Sequence, residues 1–429
     1  MDKNKRLTVW LPVIIAASIA LGIFIGNHYL SISQGKKRSY SSGNKINAIL
    51  DIIDEQYVDT VSMSKLVEST IPKIFSELDP HSVYIPAEDA SVVNEELEGS
   101  FSGIGVSFNM QTDTILVISV ISGGPAEKAG LLPFDRILSI NDSIFSGKKK
   151  NQGEIMKTLR GAKNSTVKLG VQRGNSPELL YFDVTRGDVP VNSVDVSYEA
   201  AKGIGYIKVS KFARNTYNEF ITAIAKLKQA GCTSFVIDLR GNTGGYMDAA
   251  INMINEFMPE GRLIVYTEGK SFPRSDVYAN GTGTCKDAPI VVLTDEISAS
   301  ASEIFSGAIQ DNDRGTIIGR RTYGKGLVQT QMSLSDGSEM RLTIARYYTP
   351  SGRCIQKKYE MGNTDAYDQD IYNRYMHGEF DSADSIKMDD SLKYQTVGGR
   401  TVYGGGGIMP DIFIPRDTSG VTSYYSNVV

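Results

Sequence analysis

The chain has 429 residues, enough for two or three domains with a substantial core. Its hydrophobic share of 41% and charged share of 22% are those of a globular protein. The net charge of −4 comes without long runs of one sign, which argues against nucleic acid as a partner. Cys232, Cys285 and Cys354 lie too far apart for a disulfide framework or a metal-ligand spacing, so no metal and no cofactor is expected. The histidines are His28, His81 and His377, none of them in a segment that looks catalytic, and this scarcity pushes any serine chemistry toward lysine as the base.

Residues 1–30 hold an apolar run from Leu7 to Gly26, about 20 residues and long enough to span a bilayer as a helix. Lys3, Lys5 and Arg6 precede it, and no small-x-small cleavage site follows. The expectation is an uncleaved N-terminal membrane helix, with the catalytic bulk of the chain outside the cytoplasm in the cell envelope, in the periplasm. Lys36, Lys37 and Arg38 lie just beyond the run and weaken any charge argument for orientation. Residues 31–44 read as a polar linker. Residues 45–100 read as a small helical segment suited to packing or homo-oligomer contacts. Ile46, Ile49, Leu50 and Ile53 share one helical face, and Leu66, Ile71, Ile74 and Phe75 share another that ends near Leu78-Asp79-Pro80.

From Phe101 the texture changes to short strands and turns. Gly103-Ile104-Gly105-Val106 leads into a strand, and Ile115–Ile121 is a second. Pro125–Gly130 is a short helix stopped by glycine, Arg136–Asn141 a strand into a turn, and Gly153–Leu159 a helix. Strands at Val167–Gln172 and Leu179–Thr185 close the segment. This order resembles a PDZ domain in the circularly permuted form of bacterial proteases, over 101–187. The resemblance implies that Gly103, Ile104, Gly105 and Val106 form a carboxylate-binding loop. Consecutive backbone N–H groups there can hold a peptide terminus while a strand edge pairs with the tail.

Residues 188–415 alternate strand and helix: strands at Ile204–Val209, Phe235–Leu239, Pro289–Leu293 and Thr316–Ile318, helices at Asn218–Ala230, Met247–Phe257 and Ala301–Ile309. Such alternation predicts βαβ units on parallel strands. Glu339–Tyr348 adds a strand. The stretch 361–390 is polar, acidic and poorly periodic, and reads as a surface excursion or lid. Residues 416–429 read as a tail.

The chemistry is expected in Ser298–Gln329. Ser300-x-x-Glu303 ahead of an apolar helix is a capping box, and a helix start also favours a serine nucleophile through its free N–H groups and dipole. Lys325, between two glycines and beside apolar and aromatic residues, can act as a base once burial or a nearby positive charge keeps it neutral. Gln329 could orient it, but four residues of straight strand span about 13 Å, so the contact demands a bend near Gly324 or Gly326. The glycines of Gly241–Gly245 sit at a strand-to-helix turn. Gly244 and Gly245, with the N–H of Ala301, read as an oxyanion hole. Gly319–Lys325 also satisfies GxxxxGK of a phosphate loop, yet Gly326 stands where a Ser or Thr should follow and the next residues are strand-like.

The segments LDPHSVYI (78–85), GYIKVSKF (205–212), DLRGNTGG (238–245), SASASE (298–303), GKGLVQ (324–329), YYTPSGR (347–353) and GGRTVYGGGGIMPDI (398–412) resemble the carboxyl-terminal processing, or tail-specific, serine proteases. Spacing leaves Ser298, Ser300 and Ser302 open; the resemblance assigns the nucleophile to Ser300, the base to Lys325 and the supporting glutamine to Gln329. It implies a crotonase-like α/β protease core behind a PDZ domain, an α/β and α+β multidomain chain overall. It also implies protein substrates with accessible, apolar C-terminal tails. Arg320 stands where an acidic residue is common, and Thr243 where proline is frequent. The alternative is a membrane-tethered PDZ scaffold with an inactive protease fold.

Overall fold

The computed structural model of the chain describes residues 16–23, 42–111, 114–144 and 152–417. The chain divides into Met1–Thr70 and Ile71–Val429. In the first unit, residues 16–23 are helical and exposed. Helix α1 (Ser42–Gln56) follows, then the opening turns of α2 (Met63–Ser76). Ile46 and Ile49 of the predicted apolar face remain exposed. Among the described residues no helix is long and apolar enough to cross a membrane. Most of the Leu7–Gly26 run, and the linker up to 41, lies outside them.

In the second unit, residues 79–98 do not continue a separate helical segment. β1 (Val83–Ile85) joins a sheet of the main core, and α3 (Ala87–Glu98) follows it. The PDZ segment is framed by β2 (Ser100–Gly103) and β9 (Gly187–Pro190), which pair antiparallel with Gly103 opposite Gly187. Between them lie β3 (Val106–Gln111), β4 (Thr114–Val120), α4 (Pro125–Ala129), β5 (Arg136–Ile140), β6 (Ser143–Ile144), α5 (Gln152–Leu159), β7 (Thr166–Gln172) and β8 (Leu180–Thr185). Their sheet runs β3-β4-β5-β7-β8, with β6 on β5, over a core that includes Ile115, Val117, Ile137, Ile155, Leu169 and Val184. Gly130 stops α4 at φ 93°, as the PAEKAG pattern predicts. β3 stands at the sheet edge, directly after the predicted carboxylate loop.

The protease core is built on β10 (Val194–Ala201), β11 (Ile204–Val209), β12 (Ser234–Asp238), β15 (Ile290–Thr294), β16 (Thr316–Gly319) and β21 (Ile412–Phe413), in that order across one sheet. All pairs but β10–β11 are parallel. Helices α6 (Thr216–Gln229), α7 (Met247–Asn255) and α8 (Ala301–Asp311) are the crossovers, and all 11 residues of α8 are buried. Alternation of strand and helix patterns made this layer readable, and Phe220 of α6, Phe257 just beyond α7 and Phe305 of α8 meet edge-to-face in its core.

A second sheet centres on β18 (Glu339–Tyr348). β17 (Leu327–Ser333) forms a hairpin with it, β1 pairs with its start, and β13 (Leu263–Glu268) pairs with its end and with β14 (Ser275–Tyr278). A two-strand ribbon, β19 (Lys393–Gln395) with β20 (Thr401–Tyr403), completes the core. The 361–390 stretch is not a loose excursion. It contains α9 (Thr364–Met376), whose Tyr367 and Arg374 are buried. With two inward side chains in four turns, its sequence carries no helical periodicity to read.

Candidate active site

In open α/β sheets, functional loops gather beyond the carboxyl ends of the strands. Here β12 and β15 are neighbours, so the glycine turn after one and the serine loop after the other emerge side by side. The two loops are stitched together: Ala299 N–H donates to the Asn242 carbonyl (3.0 Å), and Gly241 N–H donates to Asp295 Oδ1 (3.0 Å). The hydroxyls of Ser298 and Ser302 are buried and committed, to the carbonyls of Leu239 (2.8 Å) and Asn242 (2.9 Å). Ser300 is half-buried and lines a cleft of about 660 Å³ together with Gly244, Gly245, Ala301, Lys325, Gln329, Arg341 and Tyr347. Its backbone sits at φ 55°, ψ −113°, a conformation that costs a non-glycine residue about 1–3 kcal/mol.

Gly244 and Gly245 are required by proximity. A Cβ on Gly244 would lie 2.7 Å from Ser300 Cβ, and one on Gly245 would lie 2.1 Å from the Phe212 carbonyl oxygen. The two differ in what their N–H groups can do. Gly244 N–H is already given to Asn242 Oδ1 (2.8 Å), which removes it from the oxyanion hole expected from the sequence. Gly245 bridges Phe212 through its neighbours: Phe212 N–H donates to the Gly244 carbonyl, and Tyr246 N–H donates to that of Phe212. The N–H of Gly245 therefore points away from that bridge, and neither it nor the N–H of Ala301 has a partner among the described hydrogen bonds.

The lysine loop after β16 bends as required. Gly324 has φ 92°, β17 begins only at Leu327, and its register slips by a bulge at Val328/Gln329. Lys325 Nζ donates to Gln329 Oε1 at 3.1 Å. Burial and the positive charge of Arg341 push the lysine below its usual pKa, against the carboxylates of Glu303 and Asp79. No described hydrogen bond joins Nζ to Ser300 Oγ, so nucleophile and base share the cleft with their own bond open, as is common without substrate. The GxxxxGK pattern runs into β17 with no helix N-terminus behind it, which sets the phosphate-loop reading aside.

Glu303 joins the two halves, a role that the capping-box pattern hinted at only in part. Its Oε2 accepts the N–H groups of Ser300 (2.8 Å) and Lys325 (2.9 Å). Oε1 accepts Gly324 N–H (2.7 Å) and the Thr322 hydroxyl (2.5 Å). Burial lifts this carboxyl to about 7, while the four donors pull it down. Tyr347 adds a second clasp, its hydroxyl lying 3.1 Å from the Ser300 carbonyl and also against that of Lys325. Arg374 of α9 donates to the carbonyls of Thr322 (3.0 Å) and Arg321 (2.8 Å), holding the lysine loop from outside. His81, dismissed on sequence, reaches the site through its backbone, whose carbonyl accepts the Gln329 amide. Nothing in sequence spacing marks a main-chain acceptor 248 residues away.

In the PDZ segment, Gly103 ends β2, Val106 begins β3, and Gly105 between them has φ 78°. The carbonyls of Ile104 and Gly105 are taken by Ala126 N–H (2.7 Å) and Ile121 N–H (3.0 Å), which fixes the loop against the domain.

The profile described as Peptidase family S41 matches residues 203–365, and that of the PDZ domain matches 102–195. The carboxy-terminal processing protease CtpB of Bacillus subtilis is 34% identical over 318 residues, which is 73% of this chain and 66% of CtpB. A probable CtpA-like serine protease of Staphylococcus aureus is 33% identical over 365 residues, covering 83% of this chain and 72% of the relative. Among solved structures, a photosystem II D1 C-terminal processing protease aligns over 88% of this chain and 94% of its own, with 25% identity and a TM-score of 0.44. The chain belongs to the S41 serine peptidases, in the carboxyl-terminal processing group that carries a PDZ domain.

Proposed function

We propose that the chain is an endopeptidase that cuts proteins near their C-termini, with Ser300 as nucleophile, Lys325 as base and Gln329 as its support. The observation that carries this reading is the joint placement of Ser300, Lys325, Gly245 and Ala301 around one cleft, the last two with N–H groups that have no partner among the described hydrogen bonds. Neutral Lys325 takes the Ser300 proton as Oγ bonds to the scissile carbonyl carbon, and the resulting oxyanion is held by the two N–H groups. Collapse breaks the C–N bond while Lys325 gives its proton to the leaving amine. Water then attacks the ester, passing its proton to Lys325, and Ser300 recovers a proton as the acid leaves.

The PDZ domain delivers the tail. Gly103–Val106 hold its terminal carboxylate, and the edge of β3 left unpaired among the described strands pairs with its backbone. The apolar run at Leu7–Gly26 behind three cations supports an anchor that places the catalytic part outside the cytoplasm. Fractionation of cells, with external protease added to spheroplasts, tests that placement.

The open Ser300–Lys325 bond is what a scaffold with a silent site would also display. Protein from about Lys36 onward, given a substrate with an apolar C-terminal tail, separates the readings. Cleavage by wild type that is lost in Ser300→Ala and Lys325→Ala is expected. Cleavage surviving in Ser300→Ala contradicts the assignment, and wild-type protein that binds the tail without cutting it favours the scaffold.

A further inference from the structure

A hydrogen-bonded path leads from the lysine out to α9. Gln329 accepts Lys325 Nζ on its oxygen (3.1 Å) and donates its amide nitrogen to the His81 carbonyl. His81 is fixed on two further sides. Its N–H donates to Asp79 Oδ1 (3.0 Å), and Asp79 is itself tied to the Thr343 hydroxyl of β18 (2.9 Å). Its Nε2 lies 2.9 Å from the hydroxyl of Tyr367.

Gln356 Nε2 also donates to the Tyr367 oxygen (3.3 Å), so the phenol is held from two sides. Burial and the Lys325 charge push His81 down to about 4, so the ring is neutral and able to accept. Gln356 Oε1 meanwhile accepts Gly326 N–H (2.8 Å), which closes the path on the residue beside Lys325. Lys357 packs its ammonium 4.0 Å from the ring centres of both Tyr323 and Tyr367, holding the phenol in place.

We propose that Tyr367 of α9, acting through His81, is a positioning residue for the catalytic base. A neutral lysine offers two N–H groups and one lone pair. Giving an N–H to Gln329 turns the lone pair away from the glutamine, toward the rest of the cleft. Gln329 presents its oxygen reliably only while its amide nitrogen has a fixed acceptor, and that acceptor is a carbonyl whose residue Tyr367 anchors. The 361–390 segment is thereby part of the catalytic apparatus.

This inference rests on Lys325 being the base, and the test separates the two. Tyr367→Phe keeps the ring against Lys357 and Tyr323 and removes the hydroxyl alone. We expect kcat to fall about 10- to 100-fold with KM nearly unchanged, the scale of a sub-ångström misplacement of a reacting group. In a Gln329→Ala background the same change should have no further effect, because the path is already cut. His81→Gln, whose side-chain amide can bond the Tyr367 hydroxyl as donor or acceptor, should retain more activity than His81→Ala. Wild-type kcat in Tyr367→Phe, or losses that multiply in the double variant, overturn the proposal. A crystal structure of Tyr367→Phe decides without turnover: Gln329 turned off the His81 carbonyl supports it, and an unmoved Gln329 refutes it. Wild-type protein that cuts no substrate would count against the proposed function instead.

Discussion

Replacing Glu303 by glutamine should separate catalysis from stability. The carboxylate receives four donors, two at each oxygen, whereas an amide offers one oxygen and two N–H groups. The less damaging orientation turns the NH2 toward Thr322 and Gly324. The Thr322 hydroxyl, which already accepts Ile408 N–H at 2.6 Å, can rotate and accept again. Gly324 N–H is then left buried and unpaired, at a cost of about 1–3 kcal/mol. Against this stands the burial of the charge itself. Burial raises the Glu303 pKa from 4.5 to about 7. A folded-state pKa above the unfolded one means that stability present at low pH is lost as pH rises through about 7. At pH 8 this amounts to roughly 3 kcal/mol, which neutral glutamine avoids. The two effects oppose, so urea unfolding at pH 8 should shift by no more than about 2 kcal/mol in either direction. Catalysis has no such offset. The Gly324–Lys325 loop loses its tie to the serine helix, and kcat should fall about 100-fold. Unfolding curves and steady-state peptide cleavage measured on the same preparations check both. Wild-type kcat in Glu303→Gln would refute the idea that this carboxylate couples nucleophile and base.

Arg341→Gln removes a positive charge that helps hold Lys325 neutral, so the lysine pKa should rise and the ascending limb of the pH–rate profile should move to higher pH. An unmoved limb would show that burial alone sets it. Gly245→Ala would place a Cβ 2.1 Å from the Phe212 carbonyl at φ 138°, so the turn must open and kcat should drop about 100- to 1,000-fold, as for a lost oxyanion donor. In Ser300→Ala protein, a tail peptide ending in a free carboxylate should bind about tenfold more tightly than its C-terminal amide, one charge-assisted contact being worth roughly 1.5 kcal/mol or more. Equal affinity, read by fluorescence anisotropy, would remove the Gly103–Val106 loop from substrate binding.

Much of the fold was legible because burial imposes a period. The β11, β12, β15 and β18 strands and helices α6 to α8 carry apolar patterns that match the structure within a few residues. What stayed hidden lacks such a pattern. α9 buries Tyr367 and Arg374 among polar residues, and β1 is three residues long. At the site, the requirement for a bend before Gln329 followed from strand geometry alone, and Gly324 supplies it. The competition for N–H groups was not legible. That Asn242 occupies Gly244 N–H depends on a side-chain rotamer, and that His81 serves through its carbonyl depends on a loop folded against β18. Glu303 was visible as a helix cap, but its grip on Gly324 and Lys325 is tertiary.

Catalysis by this cleft requires Ser300 to be a nucleophile that Lys325 activates. A fluorophosphonate, which modifies activated serine hydroxyls, tests this most directly when the protein is digested and the adduct mapped by mass spectrometry. One adduct on Ser300, absent from Lys325→Ala at equal reagent and time, is the predicted result. An adduct on another serine, or undiminished labelling of Ser300 without Lys325, would contradict it.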